Sequence, residues 1–211
     1  NSLLISLDIV DNIYNNPKFK IGYLVNQYFP ELAYNKWKLF TGRQPHIFLS
    51  QLNMKFDFLF LDTVHLAPGE FINLIEVLPF LEENAIIVMH DILYHLPSFH
   101  YYNPKSIKFH PSNLYLMTSL MGDKIILPNK NNSLENIGAV ILYNDQEKYY
   151  LNYFLLLLSP WDYLPKNSEI DEIRTFIKSY YKNDLYLFLF DKSYIENKLY
   201  VMKYESVFKH I

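Results

Sequence analysis

The chain has 211 residues, half of them hydrophobic and 19% charged, which excludes intrinsic disorder and allows a substantial buried core. Its formal net charge is −3 and its basic residues are spread along the chain, which argues against a dedicated nucleic-acid-binding protein. The absence of cysteine excludes disulfides and thiolate metal sites, and no apolar run approaches the ~18 residues that span a bilayer. With no signal peptide pattern at the start, we expect a cytoplasmic protein with neither a nucleic acid nor a membrane as partner.

Short apolar runs alternate with amphipathic stretches in the first two-thirds of the chain, which is typical of an α/β fold with a parallel sheet. The chain enters an apolar run almost at once, so we expect the first strand of the fold to be missing upstream of Asn1. The predicted elements of this part are a strand at Leu3–Ile9, a weak helix at Ile21–Phe29, a strand at Trp37–Phe40 and a helix at Pro45–Leu52.

The central part of the chain carries the clearest pattern. Phe56–Leu61 and Ala85–Met89 are apolar runs of the kind expected for strands buried on both faces of a sheet. Between them, Pro68–Leu81 has apolar residues at helical spacing, and Pro68 suits the first position of a helix. A strand, a helix and a second strand predict a βαβ unit with parallel strands.

The rest of the chain predicts a loop, a hairpin and several helices. Residues 95–111 lack periodicity and predict a loop over the site. We therefore expect an α/β, Rossmann-like core with a mostly parallel sheet over residues 1–145, and a C-terminal helical extension packed on the same domain over residues 146–211. The elements are a helix at Asn113–Met121 with Ser112 as cap and Gly122 as terminator, an antiparallel edge hairpin of Lys124–Leu127 and Ile137–Tyr143, a helix at Gln146–Leu158, a helix opened by a capping box at Ser168–Asp171, and a helix from Asp184 towards Lys203.

Polar residues stand at the ends of four predicted strands, where open α/β sheets bind their ligands. At the first end, Asp8 is a candidate acceptor for ribose hydroxyls, with Asp11 as a competitor and an exposed turn aspartate as the alternative. At the second, Gly42 permits a tight turn and Arg43 is a candidate neighbour of an adenine ring. The other two ends are Asp62-Thr63-Val64-His65 and His90-Asp91.

The last two strand ends predict a cluster of ionisable side chains. Neighbouring strands lie about 4.8 Å apart, so Asp62, His65, His90 and Asp91 are expected to converge. Two carboxylates and two imidazoles can act as an acid/base site or hold a divalent cation. The alternative is that the aspartates cap the following segments while the histidines only pack.

The block of residues 56–91, with its Asp-x-x-His and His-Asp strand ends, resembles class I S-adenosylmethionine (SAM)-dependent methyltransferases. It is most similar to a bacterial branch that includes macrolide-sugar O-methyltransferases. By this resemblance Asp8 would bind the cofactor ribose, Gly42 and Arg43 would flank the adenine, and Asp62 and Thr63 would lie beside the methionine portion. The resemblance further implies that His65 or His90 removes the acceptor proton, and that Asp62 and Asp91 hold Mg²⁺.

The chain departs from this resemblance in its glycines. It has five, at positions 22, 42, 69, 122 and 138, and none forms the glycine-rich turn that binds the cofactor in such proteins. The predicted function is SAM-dependent O-methylation of a sugar or polysaccharide-linked hydroxyl. The predicted partner is a small-molecule or glycan acceptor, and the sequence leaves open whether the protein forms a homodimer. Two alternatives are a catalytically degenerate methyltransferase-like binding partner and a metal-dependent hydrolase.

Overall fold

The computed structural model describes residues 2–13, 15–93, 110–126 and 136–208, and only the backbone of residues 204–208. The chain divides into two compact units, Asn1–Met54 and Lys55–Ile211. Most of the loop predicted at residues 95–111 lies outside the described residues.

The first unit is built around one parallel strand pair. Strand β1 pairs with β4 in a register that runs from Leu4 opposite Trp37 to Asp8 opposite Thr41. Strands β2 and β3 form a short antiparallel hairpin that the sequence patterns did not predict. The elements of this unit are β1 (Leu4–Asp8), β2 (Asn12–Ile13), β3 (Asn16–Lys20), α1 (Tyr23–Tyr28), α2 (Pro30–Asn35), β4 (Trp37–Thr41) and α3 (Pro45–Leu52).

Gly22 shows why this unit needs a glycine at the start of α1. Its φ is +79°, and a Cβ atom built on it would lie 2.6 Å from side-chain atoms of both Leu39 and Trp37. Only glycine adopts this conformation without steric cost, and only glycine leaves room for the two side chains. The helix that follows ends before Pro30, which itself occupies the first turn of α2.

The second unit holds a four-stranded sheet in the order β5-β6-β8-β7. The pair β5–β6 is parallel, whereas β8 runs antiparallel to both of its neighbours. The predicted α/β class is confirmed, with an antiparallel pair at the sheet edge and a helical C-terminus. The elements are β5 (Phe56–Leu61), α4 (Gly69–Val77), β6 (Leu81–His90), α5 (Ser112–Ser119), β7 (Gly122–Ile125), β8 (Ile137–Leu142), α6 (Tyr150–Leu155), α7 (Asn167–Tyr180) and α8 (Asp184–Phe208).

The core of this unit joins the sheet to the helices. Helix α4 is buried along nearly its whole length, as expected for the crossover between two parallel strands. The C-terminal helices pack in the same unit: Trp161 is fully buried, and the hydroxyl of Tyr181 donates a 2.6 Å hydrogen bond to the carbonyl of Ile75 in α4. Within the described ranges no helix combines the length and apolar character needed to cross a bilayer.

Several helix boundaries differ from the sequence prediction by a few residues, and two of the predicted N-terminal caps are wrong. The capping box predicted at Ser168–Asp171 is wrong. Helix α7 begins at Asn167, and its N-cap is Lys166, whose backbone N–H donates a 2.8 Å hydrogen bond to the carboxylate of Glu169. Ser112 lies inside α5 rather than capping it, and its hydroxyl has no hydrogen-bond partner among the described residues.

Candidate active site

The parallel pairing of β5 and β6 brings two polar strand ends together. Leu61 lies opposite Met89 at the end of the paired register, so Asp62 follows one strand directly beside His90 at the end of the other. The ligand-type atoms of Asp62, His65, His90 and Asp91 all lie within 4.8 Å of one another. These four predicted site residues therefore form one cluster, which we call the strand-end cluster.

Each imidazole of the strand-end cluster faces both carboxylates. Nε2 of His65 lies 3.3 Å from Oδ1 of Asp62 and 3.2 Å from Oδ2 of Asp91. Nδ1 of His90 lies 3.4 Å and 3.3 Å from the same two oxygens. The cluster is partly open, with Asp62 and His90 about two-fifths exposed and the other two side chains below one-fifth. An acceptor or an ion can therefore reach it from solvent.

The backbone is left-handed at two of these residues, with φ of 57° at His65 and 54° at Asp91. Such conformations in non-glycine residues cost about 1–3 kcal/mol and persist only where surrounding contacts hold them. At His65, the backbone N–H donates a 2.6 Å hydrogen bond to Oε1 of Glu70. At Asp91, the side-chain amide of Asn136 donates to Oδ1, and its carbonyl oxygen accepts the N–H of Leu93 at 2.8 Å.

Glu70 also faces the ring of His65. It is fully buried, and its Oε1 lies 3.4 Å from Nδ1 of that ring. Its hydrogen bond raises the pKa of His65 above the ordinary value despite burial, and the charges of Asp91 and Asp62 act in the same direction. The sequence patterns did not assign Glu70 to the site; the available signal was an acid in the first turn of α4, five residues after His65.

Asn113 connects the two histidines. Its Nδ2 donates a 2.9 Å hydrogen bond to the carbonyl of His90 and lies 3.1 Å from Nδ1 of His65. Its own Oδ1 is buried without a hydrogen-bond partner among the described residues. Because Asn113 is 48 residues from His65, no local sequence pattern could have assigned it to the site.

A second histidine–aspartate pair, His110 and Asp162, contacts the segment that follows His65. Asp162 is fully buried; its Oδ2 accepts the N–H of Ala67 at 2.8 Å, and its Oδ1 lies 2.7 Å from Nδ1 of His110. The same Oδ1 accepts the backbone N–H of His110 at 3.2 Å. His110, near the end of the loop predicted at residues 95–111, is thus held by a buried carboxylate.

The remaining predicted residues fall into the first unit, except Thr63, which is exposed beside the strand-end cluster. Oδ1 of Asp8 accepts the N–H of Val10 at 3.0 Å, and the carbonyl of Asp8 accepts the N–H of Gly42 at 3.0 Å. The next residue, Arg43, is exposed. Asp8, Gly42 and Arg43 thus lie at the same end of the β1–β4 pair, and none of them lines the cleft of this unit.

That cleft has a volume of about 340 Å³, within the range of small-molecule sites. Asp11 lines it together with Thr41, whose hydroxyl donates a 2.5 Å hydrogen bond to Oδ1 of Asp11. Of the two acids considered for ribose binding, Asp11 is therefore the one that faces a cavity. The other lining residues are Lys20, Ile21, Asn26, Ala33, Trp37 and Leu39.

Comparison with known proteins finds no match by sequence and only distant similarity by structure. No family model and no curated protein matches the sequence. Among solved structures, the chain is similar to the O-methyltransferase TomG from Streptomyces achromogenes, involved in tomaymycin synthesis and solved with SAM, at a TM-score of 0.41 and 12% identity over 67% of this chain and 62% of that one. It is also similar to the MycE methyltransferase from the mycinamycin biosynthetic pathway, solved with Mg and SAH, at a TM-score of 0.38 and 16% identity over 69% of this chain and 47% of that one. Likeness at this level does not assign the chain to a family.

Proposed function

We propose that the chain carries the acceptor-binding part of a SAM-dependent O-methyltransferase that acts on a sugar or polysaccharide-linked hydroxyl. One observation carries the proposal: the strand-end cluster sits at the carboxyl ends of two parallel strands joined by a helix. This edge is where α/β sheets bind ligands. The Asp-x-x-His and His-Asp pairs that form it also carry the sequence resemblance to class I methyltransferases.

The chemistry of methyl transfer to a hydroxyl needs a positioned oxygen that loses its proton. In this proposal Nε2 of His65 accepts that proton. Glu70 faces the opposite ring nitrogen from a buried position, so its carboxylate orients the imidazole and stabilises the imidazolium that forms. Asn113 prevents the ring from turning away, because its amide is held by the carbonyl of His90.

The cofactor supplies the methyl group as a sulfonium. The cleft of the first unit fits its adenosine portion in chemical character, since Trp37 and Leu39 offer apolar walls and Asp11 offers a carboxylate for ribose hydroxyls. Asp8 and the turn at Gly42 and Arg43 remain the second choice for ribose and adenine. No glycine-rich cofactor turn occurs in the part of the chain that the structure describes.

The strand-end cluster also fits a divalent cation. Asp62 and Asp91 offer two carboxylate oxygens, and Nδ1 of His90 is a buried nitrogen with no hydrogen-bond partner among the described residues. When bound, such an ion would orient the acceptor hydroxyl and make it more acidic.

The proposal is tested by calorimetric titration of the chain with SAM and with S-adenosylhomocysteine. We expect binding that Asp11→Asn weakens by at least about tenfold, because the ligand loses a charged hydrogen-bond partner. Asp145→Asn, which changes an acid exposed on the second unit, is the matched control and should leave binding unchanged. Absence of binding by the unmodified chain would overturn the proposal.

The same cluster supports a second candidate, a metal-dependent hydrolase, because carboxylate and imidazole ligands can hold an ion that activates water. The two functions differ in their need for a methyl donor. Hydrolysis of a carboxylic or phosphate ester with added metal and without SAM, abolished by Asp62→Asn, would favour the hydrolase.

A further inference from the structure

One ring nitrogen of His90 has no hydrogen-bond partner among the described residues. This Nδ1 atom is buried and makes no hydrogen bond within the described part of the chain, although carboxylate oxygens of Asp62 and Asp91 lie 3.4 Å and 3.3 Å away. Buried polar atoms nearly always have a partner, and a partnerless one needs an explanation. This nitrogen faces two carboxylates without forming a hydrogen bond to either. The same arrangement is expected of three ligand atoms that bind one metal ion.

We propose that His90 is a metal ligand rather than a proton acceptor, and that Asp62, His90 and Asp91 together hold a divalent transition-metal ion in preference to Mg²⁺. Bonds of about 2.0–2.2 Å from nitrogen and carboxylate oxygen to one ion set adjacent ligand atoms about 3–3.5 Å apart. The two distances from Nδ1 of His90 fall in this range. Three protein ligands leave further positions open for an acceptor or water.

Two of the proposed ligand residues, His90 and Asp91, accept hydrogen bonds from asparagine side chains. Asn136 donates to the carboxylate of Asp91, and Asn113 donates to the carbonyl of His90. Outer contacts of this kind orient the ligands of metal sites. Asn113 lies in α5 and Asn136 directly precedes β8, so the ligands are held by parts of the chain outside β5, α4 and β6.

His65 is assigned differently although its Nε2 lies at similar distances from the two aspartates. Its Nδ1 faces Glu70 and Asn113, and neither of its ring nitrogens is a buried atom without a hydrogen-bond partner among the described residues, unlike Nδ1 of His90. The proposal therefore predicts that only one of the two histidines controls which ion binds.

The class of ion follows from the imidazole. Mg²⁺ prefers oxygen ligands and retains several waters, whereas imidazole nitrogen favours Zn²⁺, Co²⁺, Ni²⁺ and related ions. A site with one nitrogen and two carboxylates therefore favours the second group. This preference does not depend on methyl transfer and can be measured on the chain alone.

The test is titration of the full chain, purified without a histidine tag, with Co²⁺ followed by visible absorption and with Mg²⁺ followed by calorimetry. We expect Co²⁺ to bind at least about tenfold more tightly than Mg²⁺. His90→Ala should weaken Co²⁺ binding by at least about tenfold, and His65→Ala, which removes only a contact to the two aspartates, should weaken it less. His90→Glu, which replaces nitrogen with oxygen, should narrow the difference between the two ions.

Circular dichroism and thermal melting of each variant establish that it is folded, and His90 is exposed enough for substitution to be tolerated. Three results would overturn the proposal: tighter binding of Mg²⁺ or no binding by the unmodified chain, unchanged Co²⁺ affinity in folded His90→Ala, or an equal loss in His65→Ala. The SAM titration described above is independent, so failure of one proposal is distinguishable from failure of the other.

Discussion

Glu70 and His65 are joined twice: one carboxylate oxygen of Glu70 accepts the backbone N–H of His65 at 2.6 Å and lies 3.4 Å from its ring Nδ1. The first contact holds a left-handed backbone and the second orients the ring. The carboxylate therefore links the local fold of the loop to the chemistry of the site.

Glu70→Ala should lower the free energy of unfolding by about 1–3 kcal/mol, because the partly buried N–H of His65 loses its acceptor. Glu70→Gln keeps an acceptor oxygen and should lose less stability, while methyl transfer falls by about tenfold or more because the charge facing the ring is gone. Urea unfolding and a radiolabelled transfer assay measure the two effects. Equal transfer rates in folded Glu70→Gln and the unmodified chain would show that the charge has no role.

Asn136→Ala should weaken Co²⁺ binding by about 10- to 100-fold, since the carboxylate of Asp91 loses the amide that orients it. Asn152→Ala, at an exposed position of α6, is the matched control and should bind Co²⁺ like the unmodified chain. The measurement is the visible-absorption titration. A folded Asn136→Ala chain with unchanged affinity would show that this contact does not support the metal ligands.

Asp162→Asn should lower the free energy of unfolding by about 2–3 kcal/mol. The buried carboxylate accepts hydrogen bonds from the backbone of Ala67 and from His110, and an amide in its place directs N–H groups at one of these donors. Asp145→Asn on the surface should change it by less than about 0.5 kcal/mol. Urea unfolding decides, and similar midpoints for the two variants would contradict the expectation.

Tyr153 predicts a loss of stability at alkaline pH. Burial raises the pKa of its phenol to about 12, against about 10 in the unfolded chain. As the pH rises, the unfolded chain therefore releases this proton before the folded chain does. The contribution of Tyr153 to the free energy of unfolding is fully present below pH 10, and about 2–3 kcal/mol of it is lost between pH 10 and 12. Tyr153→Phe should reduce this loss, whereas Tyr180→Phe, at a more exposed position, should not. Urea unfolding at pH 9, 10 and 11 measures the difference, and parallel curves for all three chains would contradict it.

The sequence determined most of what depends on neighbouring residues. The apolar run Phe56–Leu61 and the helical spacing after Pro68 predicted a parallel pair, because a crossover helix returns the chain to the same end of the sheet. From that pairing the meeting of Asp62 and His90 follows directly. The β2–β3 hairpin and α2 were not predicted, because such short elements carry no strong periodicity in the sequence.

Only the tertiary structure decided what surrounds the cluster. Asn113 reaches His65 across 48 residues, and Asp162 reaches Ala67 across 95, so no spacing rule connects them. Their positions depend on how α5 and the C-terminal helices pack on the sheet. The sequence by itself thus determined the ionisable residues at the ends of β5 and β6, because the apolar runs that these residues follow are local patterns. The tertiary structure decided which buried groups orient them, because packing joins residues that are distant in the chain.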